Sequence, residues 1–287
     1  MLTNPRSERV KAVRALGRRA VRTRRGRFLA EGPQSVREAV RHRPDLVEDL
    51  YADPTGVARH PEIVAAAREG GLAVHEVTAE VMAAMADAQT PQGLLAVCRP
   101  VDVGLDDVLR DRPRCLVVLA HVRDPGNAGT VLRAADAAGA AAVLISAGSV
   151  DVMGPKAVRS SAGSLFHVPV VTGSPLPQLL DQVRAAGIRL LAADGAGTAQ
   201  LPDVDLAAPH AWVMGNEAWG LPPDVRERCD EVVGVPILGR AESLNLAMAA
   251  TVCLYASAGV VLAGTRAADT ADTGAGVPTR DGVGRPR

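Results

Sequence analysis

The chain has 287 residues, 47% of them hydrophobic, with zero net charge, so it can fill the core of one large domain or two ordinary ones. Aromatics are only 2%, so that core has to be built from Val, Leu, Ile and Ala. Cys98, Cys115, Cys229 and Cys253 show no paired spacing and lie in apolar contexts, which argues against a disulfide-stapled scaffold and for buried free thiols, and with no basic–apolar–small leader at the start a cytoplasmic location is expected.

Residues 1–27 hold ten basic residues against one acid, Glu8, while the rest of the chain is net acidic. Val10, Val13 and Leu16 recur at helical spacing, and Arg22-Thr23-Arg24-Arg25-Gly26-Arg27 then breaks the pattern. A basic arm on an acidic body suggests a polyanionic partner gripped by Arg18, Arg19, Arg22, Arg24, Arg25 and Arg27, although a solvated helix face would give the same pattern. Lys11 and Lys156 are the only lysines; the arginine bias fits a GC-rich genome as readily as any demand for guanidinium chemistry.

Residues 28–100 read as a first α/β unit. Strands are expected at 28–30, 47–52, 73–77 and 93–98, with helices at 34–41, at 61–69 (ended by Gly70-Gly71) and at 79–86 (capped by Thr78). Residues 101–113 are polar and acidic and read as a linker with room for a short helix. From 114 onward, continuous apolar runs at 115–120, 141–145, 168–171, 188–192, 211–214 and 232–235 suggest a parallel sheet covered on both faces. Helices are expected between them at 128–138, 156–165, 176–186 and 223–229, and last at 243–262. Residues 247–264 carry no charge and are long enough for a membrane span, but their Ala and Gly content favours a buried core helix and no membrane partner. Residues 265–287 are too rich in Gly, Asp, Thr, Pro and Arg to bury a core and read as a disordered tail.

Several familiar sites are absent. Neither lysine sits in a phosphate loop, and Gly195-Ala196-Gly197 lacks the third glycine of a dinucleotide fingerprint because Gln200 stands there. The six histidines are scattered, so no metal set is expected, and there is no nucleophile elbow. What remains is polar residues just after strands, where open parallel sheets bind ligands: Asn127 and Arg133 after the first strand of the second unit, Gly215-Asn216-Glu217 after the fifth, and Ser243 and Asn245 after the sixth. Each alone reads equally well as a turn, a cap or a solvated side chain; their shared placement is the signal.

These stretches closely resemble, in order and spacing, the three motifs of the SpoU (TrmH-like) branch of the SPOUT RNA ribose methyltransferases. Asn127-x-Gly129-x-x-x-Arg133 is similar to the first, Val213-Met214-Gly215-Asn216-Glu217 with Gly220-Leu221 to the second, and Pro236-Ile237 through Glu242-Ser243-Leu244-Asn245-Leu246-Ala247 to the third. The likeness covers roughly 114–264. Phe28-Leu29-Ala30-Glu31-Gly32 and Thr90 to Val97 resemble the substrate-binding domain that precedes many such enzymes. Ala134 stands where Thr or Ser is usual, and Ala218-Trp219 where Gly is common after the Glu.

The resemblance implies a C-terminal SPOUT domain, mostly parallel with a deep trefoil knot, behind a small N-terminal α/β sandwich. It implies a homodimer with active sites at the subunit interface and S-adenosylmethionine as cofactor, held around Gly215, Asn216, Val235, Ile237, Leu244 and Asn245. Arg133, Asn127, Glu217, Ser243 and Asn245 would form the catalytic set. A ribose hydroxyl needs positioning and a cation to favour its alkoxide, which suits Arg133 as an electrostatic activator. Asn127 would orient Arg133 or the ribose, and Glu217 would fix Arg133 or accept a hydrogen bond. The expected activity is 2′-O-methylation of a nucleotide in ribosomal RNA, most naturally of the large subunit. Family members that protect an antibiotic producer's own ribosomes share this length and domain plan. A transfer-RNA methyltransferase, a non-catalytic RNA-binding protein and an enzyme for a small anionic metabolite stay open as alternatives.

Overall fold

The computed structural model describes residues 1–273, with side chains to 263. The first unit runs α1 (Glu8–Arg14), α2 (Arg19–Arg25), β1 (Phe28–Glu31), α3 (Pro33–His42), β2 (Val47–Ala52), α4 (Pro54–Arg59), α5 (Pro61–Glu69), β3 (Val74–Glu76), α6 (Ala79–Met85) and β4 (Leu94–Cys98). Its sheet has the order β1-β4-β2-β3, antiparallel except between β2 and β3. Alternation along the strands splits the side chains between two layers. Phe28, Ala30, Leu50 and Leu94 face α3 and α5, while Leu29, Tyr51, Leu95 and Val97 face α6 and the N-terminal helices.

That second layer corrects the expected boundary. Residues 1–27 are not a free arm: Val10, Val13, Leu16 and Val21 are buried against Tyr51, Val81, Met82 and Met85. Leu2 bridges to Val77. The arm's apolar positions therefore complete the first domain, and only its other face is left to arginines.

The second unit runs α7 (Leu105–Arg110), β5 (Cys115–Leu119), α8 (Pro125–Ala138), β6 (Ala142–Ile145), α9 (Pro155–Ser160), β7 (Val170–Thr172), α10 (Leu176–Ala185), β8 (Arg189–Ala193), β9 (Ala199–Gln200), β10 (His210–Met214), α11 (Pro223–Glu227), β11 (Glu231–Gly234) and α12 (Leu246–Thr273). All strands pair in parallel in the order β7-β6-β5-β10-β8-β11-β9. Val117, Leu119, Val143 and Trp212 face α8, α9 and α12; Leu116, Val118, Leu144 and Val213 face α7, α10 and α11. Helices on both faces explain why these strands read as unbroken apolar runs. The expected linker is packed too: Leu105 and Val108 of α7 are buried, and Val103 donates its N–H to Val170 O at 2.9 Å.

One continuous core joins the units. Phe28 stacks on Phe166 with ring centroids 6.0 Å apart. Around this contact lie ion pairs that cross the junction, Arg22 with Asp151 (2.6 Å) and Arg159 with Glu31 (3.2 Å) and Asp87 (2.9 Å), and a hydrogen-bond contact of His167 Nε2 with Glu38 Oε2 (3.2 Å). Two of the histidines that look scattered in the sequence, His42 and His167, meet here across Glu38.

The last helix departs from expectation at both ends. It starts at Leu246, not Ser243, and reaches Thr273, past the expected start of the tail; residues 274–287 lie outside the described residues. Only one of its faces is core: Ala247, Ala250, Cys253, Leu254 and Ser257 are buried, while Met248, Val252 and Tyr255 are exposed. The window Leu246–Ala263 is long and apolar enough to cross a membrane by length and composition, and a third of it is buried. Within the core, Ser257 Oγ meets His210 Nε2 at 2.7 Å and accepts from Trp212 Nε1 at 2.9 Å, so the polar atoms of that helix face are partnered. Burial pushes the thiols up, to about 11 for Cys115 and about 12 for Cys229 and Cys253, which leaves them inert as nucleophiles.

Candidate active site

Strands β8, β10 and β11 end at the same edge of the sheet, and the loops that leave them enclose a cavity of about 630 Å3. Gly215, Asn216, Val235, Ile237, Leu244 and Asn245, the residues expected to hold the cofactor, all line it, together with Glu217 and Ser243. Met214, Leu246 and Ala249 add apolar wall; Asp194, Gln200 and Glu242 add polar groups. A cleft at strand ends with both apolar wall and convergent polar groups is a usual place for a small-molecule site.

The loop after β10 is a rigid turn. Asn216 and Gly220 exchange both backbone hydrogen bonds, at 2.8 and 2.9 Å. Gly220 reverses the chain with φ +67°, and a Cβ on Gly215 would lie 2.4 Å from the Gly220 carbonyl carbon, so the close approach requires glycine. The Asn216 side chain is buried and spent on this turn: Nδ2 donates to His121 O at 2.7 Å and Oδ1 accepts from Ala218 N at 2.8 Å. It therefore shapes the cavity, its side-chain oxygen already accepting one hydrogen bond.

Glu217 reaches the other way, to the loop before α8. Its carboxylate accepts from Arg123 N (3.1 Å), Asp124 N (3.0 Å) and Asn127 Nδ2 (3.2 Å). Burial pushes this carboxyl up, but those donors and the Glu217 N–H favour the anion and hold it below its ordinary value. Asp124, not Asn127, caps α8, accepting from Asn127 N at 2.7 Å, and that bond draws the Asp124 carboxyl down as well. Asn127 is thus left free to bridge: its Oδ1 accepts from Asn245 Nδ2 at 3.0 Å. Asn245 in turn caps α12, its Oδ1 accepting from Ala247 N at 2.9 Å. Ser243 lines the cavity but does not open the helix. Glu217, Asn127 and Asn245 therefore form one hydrogen-bonded chain that ties together the three stretches singled out in the sequence.

Arg133 is not part of it. Six residues beyond Asn127 on α8, it lies about 9 Å further along the helix axis. It lines a separate groove with Gln34, Glu38, Asp136 and His167, and its side chain makes no hydrogen bond or ion pair among the described residues. Neither Asn127 nor Glu217 fixes it. Among the arginines expected to meet RNA, Arg18, Arg19, Arg24, Arg25 and Arg27 are exposed, Arg27 also pairing with Glu48. Arg22 is the exception. It is 8% exposed and donates to Asp151 Oδ2 and to the carbonyls of Leu16 and Gly17, so it holds the domains together and is not available to a phosphate. Arg19, Thr23 and Arg27 line a second cleft of about 320 Å3 against residues 145–153, with the Asp151-paired Arg22 in its wall.

Two family models match the chain: the SpoU rRNA Methylase family over residues 114–255 and the MRM3-like substrate binding domain over 7–96. A 23S rRNA (guanosine(2553)-2′-O)-methyltransferase of Bacillus subtilis is 31% identical over 254 residues, 88% of this chain and 97% of that one. The chain belongs to the SpoU family. A 23S rRNA (uridine(2479)-2′-O)-methyltransferase of Streptomyces viridochromogenes is 34% identical over 250 residues, covering 84% of this chain and 85% of the other. The crystal structure of the SpoU methyltransferase AviRb from that species, in complex with AdoMet, matches with a TM-score of 0.78 and 33% identity over 90% of this chain and 99% of that one. The 7–96 match begins inside the arm, in keeping with its burial in the first domain. For a SpoU chain the glycine pattern at 195–197 was a misleading cue. It fails as a dinucleotide fingerprint, yet Asp194 and Gly195 wall the cavity, and their place directly after an apolar strand was the available signal.

Proposed function

We propose that this SpoU-family chain is an S-adenosylmethionine-dependent 2′-O-methyltransferase of large-subunit ribosomal RNA, with its cofactor in the cavity at the ends of β8, β10 and β11. The observation that carries the reading is that cavity: the second and third motif stretches wall it with the loop after β8, and the Glu217–Asn127–Asn245 chain ties both stretches to the first. Its volume and mixed lining fit a cofactor with a flat base, a ribose and a charged tail. Val235, Ile237 and Leu244 would pack its apolar parts; Asp194 and Glu242 would favour its positive charge. Bound there, S-adenosylmethionine supplies an activated methyl group. The protein has only to place a ribose hydroxyl and favour its developing negative charge.

Arg133 suits the second task, because a guanidinium stays protonated and so stabilises an alkoxide better than it takes a proton. Its distance from the cavity in one chain supports an active site completed by a second copy. The exposed apolar face of α12, with Met248, Val252 and Tyr255, supports the same homodimer. The exposed arginines of the first domain grip RNA phosphates, and the enzyme works on ribosomes in the cytoplasm. The two relatives named above modify a guanosine and a uridine. The shared cavity therefore handles the ribose, and the substrate-binding domain chooses the nucleotide. Protection against a ribosome-targeting antibiotic belongs to the same proposal.

The test is transfer of labelled methyl from S-adenosylmethionine to ribosomal RNA that lacks the modification, followed by nucleoside analysis. A 2′-O-methyl nucleoside at one large-subunit position is expected, and drug sensitivity of cells with and without the gene then reads the resistance arm. Transfer to transfer RNA alone would overturn the substrate, and cofactor binding without transfer to either RNA would overturn the enzyme.

A further inference from the structure

Trp219 is the one of the two indoles that this aromatic-poor chain leaves exposed. The sequence has two Trp, two Tyr and two Phe. Trp212, Tyr51, Phe28 and Phe166 are buried; Tyr255 is exposed on the apolar face of α12, and Trp219 is 58% exposed on the turn beside the cofactor cavity. Its neighbours are pinned. Asn216 and Gly220 are paired to each other, Ala218 N donates to Asn216, and Glu217 is tied to the loop before α8. Gly215, Asn216, Glu217, Ala218 and Gly220 all line the cavity, but Trp219 does not. The turn therefore holds the indole at the rim, outside the cofactor space.

Leaving an indole in water forgoes a large burial gain, and holding its backbone rigid removes most of the entropy cost of docking something against it. The chemistry next door says what that is. Sequence-specific RNA sites are mostly loops and bulges whose bases are splayed out of the helical stack, so a base beside the target ribose is open to a new stacking partner. Every base has a π-face that a flat indole can cover. Resting on the function proposed above, we propose that Trp219 is a stacking platform for a nucleobase adjoining the ribose to be methylated.

With Trp212 fully buried, an RNA-induced change in tryptophan emission reports Trp219. The experiment compares wild type, Trp219→Ala and Trp219→Phe. It uses unmodified large-subunit RNA as probe and reads emission, KM and kcat for methyl transfer, S-adenosylmethionine affinity and sedimentation. Wild-type emission should be quenched by RNA. Trp219→Ala should raise KM for RNA by about tenfold, the usual size for removal of one base stack. Cofactor affinity and oligomeric state should not change, and Trp219→Phe should recover most of the loss. Blue, RNA-insensitive emission with dissociation of the Ala variant would overturn the proposal in favour of contact with a second chain. Lost cofactor affinity, or an unchanged KM, would overturn it too. Should the wild type transfer no methyl to any RNA, the reading of function fails instead, and the emission titration still decides whether RNA stacks on Trp219.

Discussion

Arg22 separates two accounts of the N-terminal helices, and removing it tells them apart. Its guanidinium donates to Asp151 Oδ2 from Nε (3.0 Å) and Nη2 (2.6 Å), and to Leu16 O and Gly17 O from Nη1 (2.8 Å each). Arg22→Ala strands Asp151, whose side chain is 21% exposed, without a counter-charge at the domain junction, and leaves two carbonyls unpaired. Breaking a buried pair costs about 3–5 kcal/mol, and the partial wetting of Asp151 places this one near 3. For a chain of this size that lowers Tm by roughly 6 °C. Thermal and urea unfolding of Arg22→Ala, Asp151→Ala and the double variant should show the double variant less destabilised than the sum of the singles. Arg19→Ala is the contrast: stability unchanged, RNA affinity lower, and the log–log salt dependence of binding shallower by ~0.7–0.9 for each phosphate no longer neutralised. A stable Arg22→Ala protein with weakened, less salt-dependent RNA binding would refute the assignment and return Arg22 to the RNA-facing set.

Gly129→Ala would place a Cβ 2.0 Å from Ser160 Oγ and 2.5 Å from Ala157 O where α8 packs on α9. A loss of about 1–3 kcal/mol in urea unfolding is expected, and Ser160→Ala should not rescue it because the Ala157 backbone still blocks the methyl. Glu217 is held below its ordinary value of 4.5, so its contribution to loop order is present above that value and lost as pH falls through the folded value. Calorimetric cofactor affinity should therefore be flat from about pH 7 to 5 and fall below 4.5, whereas Glu217→Gln should bind more weakly with no such fall. If a second copy supplies Arg133, mixing Arg133→Ala with Asn245→Ala protein should regain about a quarter of wild-type turnover, since half the dimers are mixed and half of their sites are intact. No recovery after verified subunit exchange would place Arg133 and Asn245 in the same chain's site.

Much of the fold was legible because its signals are local. Val117 and Leu119 on one face and Leu116 and Val118 on the other make the unbroken run expected of a parallel strand covered twice. Thr78 caps α6 as its side chain requires, accepting from Val81 N at 3.3 Å. The cavity residues at 215–217 and 235–245 were legible because polar groups directly after apolar strands have few other uses. What escaped depends on distant partners. Val10, Val13 and Leu16 show their helical period, but nothing nearby says that Tyr51 and Met82 will bury them. Arg22 looks like its neighbours until Asp151 arrives from another domain. Ser243 is a good cap residue before an apolar run, but Asn245 takes that role and lets the preceding loop cross the cavity.

The hydrogen-bonded chain through Glu217, Asn127 and Asn245 also has a meaning in time. Its links span 90 and 118 residues, so no short segment holds a partial version of the site. Emerging from the ribosome, the chain delivers its first unit, through β4, before any of the three linked side chains. The cavity is complete only when α12, the last helix of the described residues, has docked and Asn245 closes the chain. Until then the cavity is incomplete, and on the function proposed above cofactor affinity is a direct gauge of whether folding has finished.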